Sequence, residues 1–368
     1  GGDIAAWCAF RGFQVSLQDQ SPERIAPAMQ RAYALFKRKL KRPLKINEAM
    51  DRLMPDHKGI GVARADIVIE AIFEDAEVKR SLYKDIEPKM KPDAILATNT
   101  SSIPLEELAG ALSKPERLVG LHFFNPVAMM QLVEVVNGQS TSATVLAQAM
   151  TFTRKIDRLP LPVTSTPGFL VNRILMPYLM EAVTLEAEGV PPALIDQAAT
   201  SFGMPMGPVQ LADTVGLDIC LHVAEILADH FNAEIPERLK TLVKDGNLGR
   251  KSGRGFYAYK KGKPVKPRAG SGNWNMEEIS NRLVLRLLNE AVSCVREQVV
   301  ADRDLLDAGM IFGTGFAPFR GGPMHYLDAI GASALQQQLK TLRALRGDRF
   351  KPDQGWGSLS NSSGGEKV

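Results

Sequence analysis

Up to about residue 165 the chain alternates short β-branched runs with amphipathic stretches, and beyond Gly168 the short runs nearly vanish. Residues 2–12 read as a helix and residues 13–19 as a strand. Ser21-Pro22-Glu23 opens a long helix, with serine as cap and proline in the first turn, that runs to about Lys41. Residues 66–72 read as a buried strand from their β-branched run, residues 94–99 and 118–124 as two more, and residues 132–136 as a fourth strand-like run. Alternation of this kind predicts a parallel sheet with helices on both faces, an α/β doubly wound, Rossmann-like fold. After Gly168 long amphipathic helices dominate, apart from the short segment 255–259, so a boundary falls near residues 164–167.

The helical part contains a repeat. Asn172-Arg173-Ile174 with Glu181-Ala182-Val183 recurs 109 residues later as Asn281-Arg282-Leu283 with Glu290-Ala291-Val292. The following landmarks keep the same order: Ile195-Asp196 answers Leu306-Asp307, Phe202-Gly203 answers Phe312-Gly313, and Gly207-Pro208 answers Gly322-Pro323. An ordered series of this kind points to two homologous all-α domains. The expected organisation is a first domain over 1–166, a helical domain over 167–260 and a Lys/Gly/Pro-rich linker over 261–275. A second helical copy then spans 276–350, ahead of a Ser/Gly-rich, disordered end over 351–368.

Composition adds little beyond exclusions. Apolar residues make up 45% and charged residues 23%, as in ordinary globular proteins. A net charge of +4 is too mild to argue for nucleic acid, and no apolar run reaches the length of a membrane span. Cys8, Cys220 and Cys294 lack metal-ligand spacing and read as reduced, buried thiols of a cytoplasmic protein. The five histidines share no ligand spacing either, so no metal site is expected.

The chemistry gathers around His122-Phe123-Phe124-Asn125-Pro126. Ser101, in Asn99-Thr100-Ser101-Ser102, lies 21 residues upstream, and Glu134 lies 12 residues downstream in the run Leu132 to Val136. Asn172 follows in Thr166-Pro167-Gly168-Phe169-Leu170-Val171-Asn172-Arg173. A histidine, a carboxylate to orient it, a hydroxyl and a carboxamide make a proton-transfer site for a hydroxyl or carbonyl substrate. His122 follows a predicted strand, where α/β folds collect ligands, and Glu134 on the next strand is placed to bond one imidazole nitrogen. The chain also opens Gly1-Gly2-Asp3-Ile4-Ala5-Ala6, passes through a helix and reaches Asp19 at the end of the next strand. An acid there accepts hydrogen bonds from an adenosine ribose and opposes a 2′-phosphate, favouring NAD over NADP.

This set resembles the (S)-3-hydroxyacyl-CoA dehydrogenases, down to the spacing of the four residues, over about residues 1–331. The resemblance implies NAD as cofactor and an acyl-CoA whose 3-hydroxyl is oxidised to a ketone, with His122 as general base and Glu134 fixing its tautomer. It implies that Ser101 bonds the reacting oxygen and the cofactor carboxamide, that Asn172 holds the substrate's oxygens and that Asn125 contacts the nicotinamide side. Glu70, Glu74 and Lys79 match family positions beside the cofactor, Tyr326 reaches toward the acyl-CoA, and Arg42, ending the basic run from Lys37, suits the phosphates of coenzyme A. By the family pattern Gly1 is the third glycine of G-x-G-x-x-G, so the two earlier glycines and the first strand are expected upstream. The family's multifunctional fatty-acid oxidation α-subunits carry an enoyl-CoA hydratase domain there and work with a thiolase β-subunit. Two other readings stand beside this one. A related β-hydroxyacid dehydrogenase would use lysine where this chain offers His122, and the broken glycine loop would suit a non-catalytic nucleotide-binding or scaffolding fragment.

Overall fold

A computed structural model of the protein describes residues 1–231, 233–265 and 273–362. The chain divides into two compact units, Gly1–Ser165 and Thr166–Val368.

In the first unit the order is α1 (Gly2–Phe10), β1 (Val15–Leu17), α2 (Pro22–Lys39), α3 (Pro43–Asp51), β2 (Leu53–Pro55), β3 (Ile67–Glu70) and α4 (Ala76–Ile86). It continues with β4 (Ile95–Thr98), α5 (Leu105–Ala109), β5 (Leu118–Phe123), β6 (Leu132–Asn137), α6 (Ala143–Lys155) and β7 (Leu159–Thr164). Five strands make one sheet in the order β3-β4-β5-β6-β7, and β1 pairs in parallel with β2 as a separate ladder. β4 and β5 are buried along their whole length, which is why they read as continuous apolar runs rather than alternating ones. The expectation of a parallel sheet fails at one place. β6 runs antiparallel to β5, because residues 124–131 return the chain without a crossover helix, and only antiparallel neighbours tolerate so short a connection.

Helix α1 is tied to the end of α6 by Trp7, whose Nε1 donates to the Ile156 carbonyl at 2.8 Å while the Arg158 guanidinium sits 3.6 Å over its ring. It lies so close to α2 that a Cβ on Gly2 would stand 2.6 Å from the Ala28 Cβ. Gly2→Ala is therefore expected to cost about 1–3 kcal/mol, the range of an overpacked core. Urea unfolding measures this, and an unchanged midpoint would mean that the two helices part freely.

The second unit contains α7 (Val171–Ala187), α8 (Pro192–Phe202), α9 (Pro208–Val215), α10 (Leu217–Phe231), α11 (Glu237–Lys244), β8 (Ala258–Lys260) and β9 (Lys263–Val265). Then come α12 (Met276–Arg296), α13 (Arg303–Thr314), α14 (Pro323–Ile330), α15 (Ala332–Arg346) and α16 (Trp356–Ser362). α7 and α12 pack along each other. Their apolar stripes, Ile174, Leu179 and Val183 on one and Leu283, Leu287, Leu288 and Val292 on the other, are all buried. The seam carries two crossed ion pairs. Arg173 Nε donates to Glu290 at 2.7 Å, and Arg282 Nε donates to Glu181 at the same distance. Further along, Asp196 accepts from the Val209 N–H at 2.9 Å and Asp307 accepts from the Met324 N–H at 2.7 Å. In both places a glycine, Gly207 or Gly322, lets the backbone approach: an added Cβ would meet the aspartate side chain at 2.2 Å or 2.3 Å.

Two expectations within this unit need correction. Part of the linker is ordered, since Lys263–Val265 pairs antiparallel with β8; residues 266–272 lie outside the described residues. The end from 351 is also structured at its start. Trp356 is fully buried, and its Nε1 donates to Asn289 on α12 at 2.8 Å. Asp353 pairs with Arg296 at 2.8 Å, so a buried indole and an ion pair outweigh the Ser/Gly-rich composition. Residues 363–368 lie outside the described residues.

Candidate active site

In the antiparallel ladder of β5 and β6, His122 stands directly opposite Glu134. Opposed residues share a face of the sheet, so the main-chain register alone brings the two side chains together. His122 Nδ1 lies 2.6 Å from Glu134 Oε2, with the histidine 5% exposed and the glutamate fully buried. A carboxylate at that distance holds the proton on Nδ1 and leaves Nε2 as the basic nitrogen of the ring. The Phe124 ring packs 4.5 Å from the imidazole, and the chain then turns at the exposed Asn125, through a cis Asn125–Pro126 peptide.

The loop after β4 carries Ser101. It is gathered by Glu74, whose Oε1 accepts from the Thr100 hydroxyl at 2.6 Å, the Ser101 N–H at 2.7 Å and the Ser101 hydroxyl at 3.1 Å. Burial alone would raise the pKa of Glu74. The Thr100 hydroxyl, the charge of Lys79 and the Ser101 donors outweigh it and hold the carboxyl below the usual range. Lys79 is wholly buried, 3.4 Å from Glu74 Oε2 and 2.7 Å from Glu70 Oε1. Glu70 is buried too, and its other oxygen accepts from the Tyr83 and Thr98 hydroxyls, each at 2.8 Å. Lys79 is therefore not on a solvated face: it bridges the carboxylate at the end of β3 and the one that shapes the Ser101 loop. Ser101 caps no helix, since α5 starts after Pro104.

A cleft of about 180 Å³, open to solvent, is lined by Gly1, Gly2, Asp3, Arg31, Asn99 and Asn125, among others. The first turn of α1 lines this cleft and has no side-chain cap, and a helix start of this kind is the usual seat of a phosphate. Asp3 in that turn is paired with Arg31 at 3.0 Å, so its charge is countered. Asp19 is exposed just past β1. Helix start, closely packed glycine and exposed acid fit a dinucleotide. Arg42 is exposed at the start of α3, apart from these cleft-lining residues. Asn172 and Tyr326 belong to the second unit. Asn172 sits half-buried in the first turn of α7; the Tyr326 ring meets Phe202 edge-on at 5.2 Å.

Two contributors escaped the sequence reading. Asn99 Oδ1 accepts from the Phe123 N–H at 2.9 Å, tying the Ser101 loop to the strand end beside His122, and its only sequence signal is adjacency to Ser101. Arg158, between α6 and β7, donates to the Val127 carbonyl at 2.7 Å, two residues past Asn125. Among the described residues no group of His, Cys, Asp and Glu is placed to hold a metal ion, and no helix is long and apolar enough to cross a membrane.

The fold is Rossmann-like with a helical second unit, and the buried His–Glu dyad at a strand end suits proton transfer. The family profile for the 3-hydroxyacyl-CoA dehydrogenase NAD binding domain matches residues 1–166, and that for the C-terminal domain matches residues 168–259. The chain is 36% identical to the fatty acid oxidation complex subunit alpha of Vibrio cholerae over 368 residues, covering 96% of this chain and 52% of the relative. It thus spans about half the length of such relatives. Among solved structures, 3-hydroxybutyryl-CoA dehydrogenase from Escherichia coli superposes with a TM-score of 0.85 at 27% identity, covering 98% of this chain and 96% of the other. (S)-3-hydroxybutyryl-CoA dehydrogenase from Ralstonia eutropha gives 0.68 at 35% identity, covering 71% and 95% respectively. The chain belongs to the 3-hydroxyacyl-CoA dehydrogenase family.

Proposed function

We propose that this chain oxidises (S)-3-hydroxyacyl-CoA to 3-ketoacyl-CoA in fatty-acid β-oxidation, with His122 as general base. The observation that carries the reading is the buried His122–Glu134 pair at 2.6 Å at the end of β5. His122 Nε2 takes the hydroxyl proton as the C3–O bond becomes a carbonyl, and Glu134 stabilises the imidazolium that results. NAD, when bound, supplies the hydride acceptor. Ser101 and Asn172 hold the substrate's oxygens. Asn125 contacts the cofactor's nicotinamide side, and Glu70, Glu74 and Lys79 stand beside the cofactor, with the buried Lys79 holding the two carboxylates in place. Gly1, Gly2 and Asp19 take its pyrophosphate and ribose. Arg42 and Tyr326 are assigned to the coenzyme A portion. The test is steady-state NAD reduction with (S)-3-hydroxybutyryl-CoA. A protein that binds NAD and the thioester yet never turns over would instead be a nucleotide-binding scaffold.

The same reading takes α12–α14 as a second copy of α7–α9. The crossed Arg173–Glu290 and Arg282–Glu181 pairs support it, because equivalent residues contact each other reciprocally across a local twofold. Membership of a larger complex belongs to this proposal as well, supported by the longer relatives' name as the alpha subunit of a fatty acid oxidation complex; a hydratase domain, a thiolase partner and a cytoplasmic location are what the family resemblance adds.

Cofactor choice gives a direct check. The Asp19 carboxylate opposes a 2′-phosphate, so Asp19→Ala is expected to narrow the preference for NAD over NADP by roughly tenfold, about the energy of one hydrogen bond to a charge. Equal kcat/KM for the two cofactors, unchanged in the variant, would remove Asp19 from the site.

A further inference from the structure

We propose that Glu74 is a positioning residue for the proton-transfer site, acting through Ser101: the loop 100–102 is wound about its carboxylate, which sets where the Ser101 hydroxyl stands. This rests on the reading of Ser101 as the residue that bonds the reacting oxygen.

The carboxylate is itself held from behind. Glu74 comes just before α4, whose N-cap Asp75 accepts from the Val78 N–H at 3.0 Å and so fixes the helix start. Lys79, one turn into that helix and wholly buried, stands 3.4 Å from Glu74 Oε2. The other oxygen, Oε1, faces the loop. It accepts from the N–H groups of Ser101 at 2.7 Å and Ser102 at 3.1 Å. Three hydroxyls converge on the same oxygen, those of Thr100 at 2.6 Å, Ser101 at 3.1 Å and Ser102 at 3.2 Å. Successive N–H groups curled around one anion form a nest, and here a carboxylate of the same chain fills it. Burial works against the charge, but the Thr100 and Ser101 donors and Lys79 outweigh it, so the carboxyl stays ionised and only accepts.

Two jobs are divided within the loop. Thr100 and Ser102 are fully buried, whereas Ser101 keeps partial exposure. The Ser101 N–H makes the shorter bond to Glu74 and the hydroxyl the longer one. The backbone is thus anchored, while the hydroxyl is free to turn to a substrate oxygen without moving the chain.

Glu70 supplies the control. It flanks the same lysine at 2.7 Å, but its side chain accepts from the Tyr83 and Thr98 hydroxyls and the Ile72 N–H instead of the Ser101 loop. Loss of a charge beside Lys79 is common to Glu70→Gln and Glu74→Gln, and only the second reaches Ser101. A merely structural role predicts that the two variants behave alike toward Ser101.

The experiment is a set of double-mutant cycles that combine Glu74→Asp, Glu74→Gln or Glu70→Gln with Ser101→Ala. It reads kcat/KM for (S)-3-hydroxybutyryl-CoA at saturating NAD, and the thermal midpoint. Aspartate keeps the charge beside Lys79 but withdraws the oxygen by one methylene, so Glu74→Asp should stay the more stable of the two Glu74 variants. Glu74→Asp and Glu74→Gln should each lower kcat/KM by about 10- to 100-fold, the scale of a misplaced group at the reacting centre. Once the Ser101 hydroxyl is absent, both losses should shrink to within about twofold, whereas Glu70→Gln should cost the same factor in either background. A Glu74 loss of equal size with and without the Ser101 hydroxyl, or no loss at all, would overturn the proposal. If Ser101→Ala itself keeps full kcat/KM, the reading of Ser101 fails instead, and which single variant is silent tells the two failures apart.

Discussion

Replacing His122 by Gln is expected to lower kcat by about 10²–10⁴-fold, the range of a lost general base, while the unfolding midpoint and the affinity for NAD stay close to those of the unmodified protein. The fold tolerates the change because a glutamine amide can still donate toward Glu134, so the fully buried carboxylate keeps a partner. It loses only the nitrogen that carries the proton away. Stopped-flow turnover together with urea unfolding measures both sides. A stability loss of about 2–5 kcal/mol, the size of a large core deletion, would show that His122 serves packing.

Replacing Lys79 by Met is expected to cost about 3–5 kcal/mol of stability, the scale of breaking a buried ion pair. Lys79 is the cation between Glu70 and Glu74, and without it two carboxylates within the unit lose their counter-charge. The Tyr83 and Thr98 hydroxyls still donate to Glu70, but neutral donors do not replace a charge. Adding Glu70→Gln to Lys79→Met should recover part of the loss, since one stranded charge is then removed. A double variant no more stable than the single one would show that Glu70 is satisfied by its hydroxyl partners alone.

The strands β4 and β5 were legible because each is a short apolar run buried on both faces, β3 because its run Ile67-Val68-Ile69 is β-branched, and the dyad because the spacing of His122 and Glu134 survives any detail of the turn between them. The direction of β6 was not legible. Whether a strand returns beside its predecessor or crosses over depends on the loop 124–131, and its composition signals a bend without a direction. The role of Glu74 was hidden for a similar reason: it contacts the Ser101 loop 27 residues away, through oxygens that periodicity cannot place. The matching order of residues along α7 and α12 was visible, yet not that Arg173 on α7 would pair with Glu290 on α12. The ordered segment at 353–356 failed on composition. Gly355 and Ser358 read as disorder, and a single buried tryptophan outweighs them.

The cross-strand placement of His122 and Glu134 bears on how such a protein can change over time. The two side chains share a face because their residues stand opposite each other in the ladder, and a slip of β6 by one residue would turn Glu134 to the side of the sheet away from His122. The dyad therefore cannot drift gradually; it is kept whole or lost whole. The loop 124–131 is under no such constraint, because insertions there leave the ladder intact. Since that loop carries Asn125 and the exposed Met129, it is the segment where new preferences for cofactor or substrate can accumulate without disturbing proton transfer.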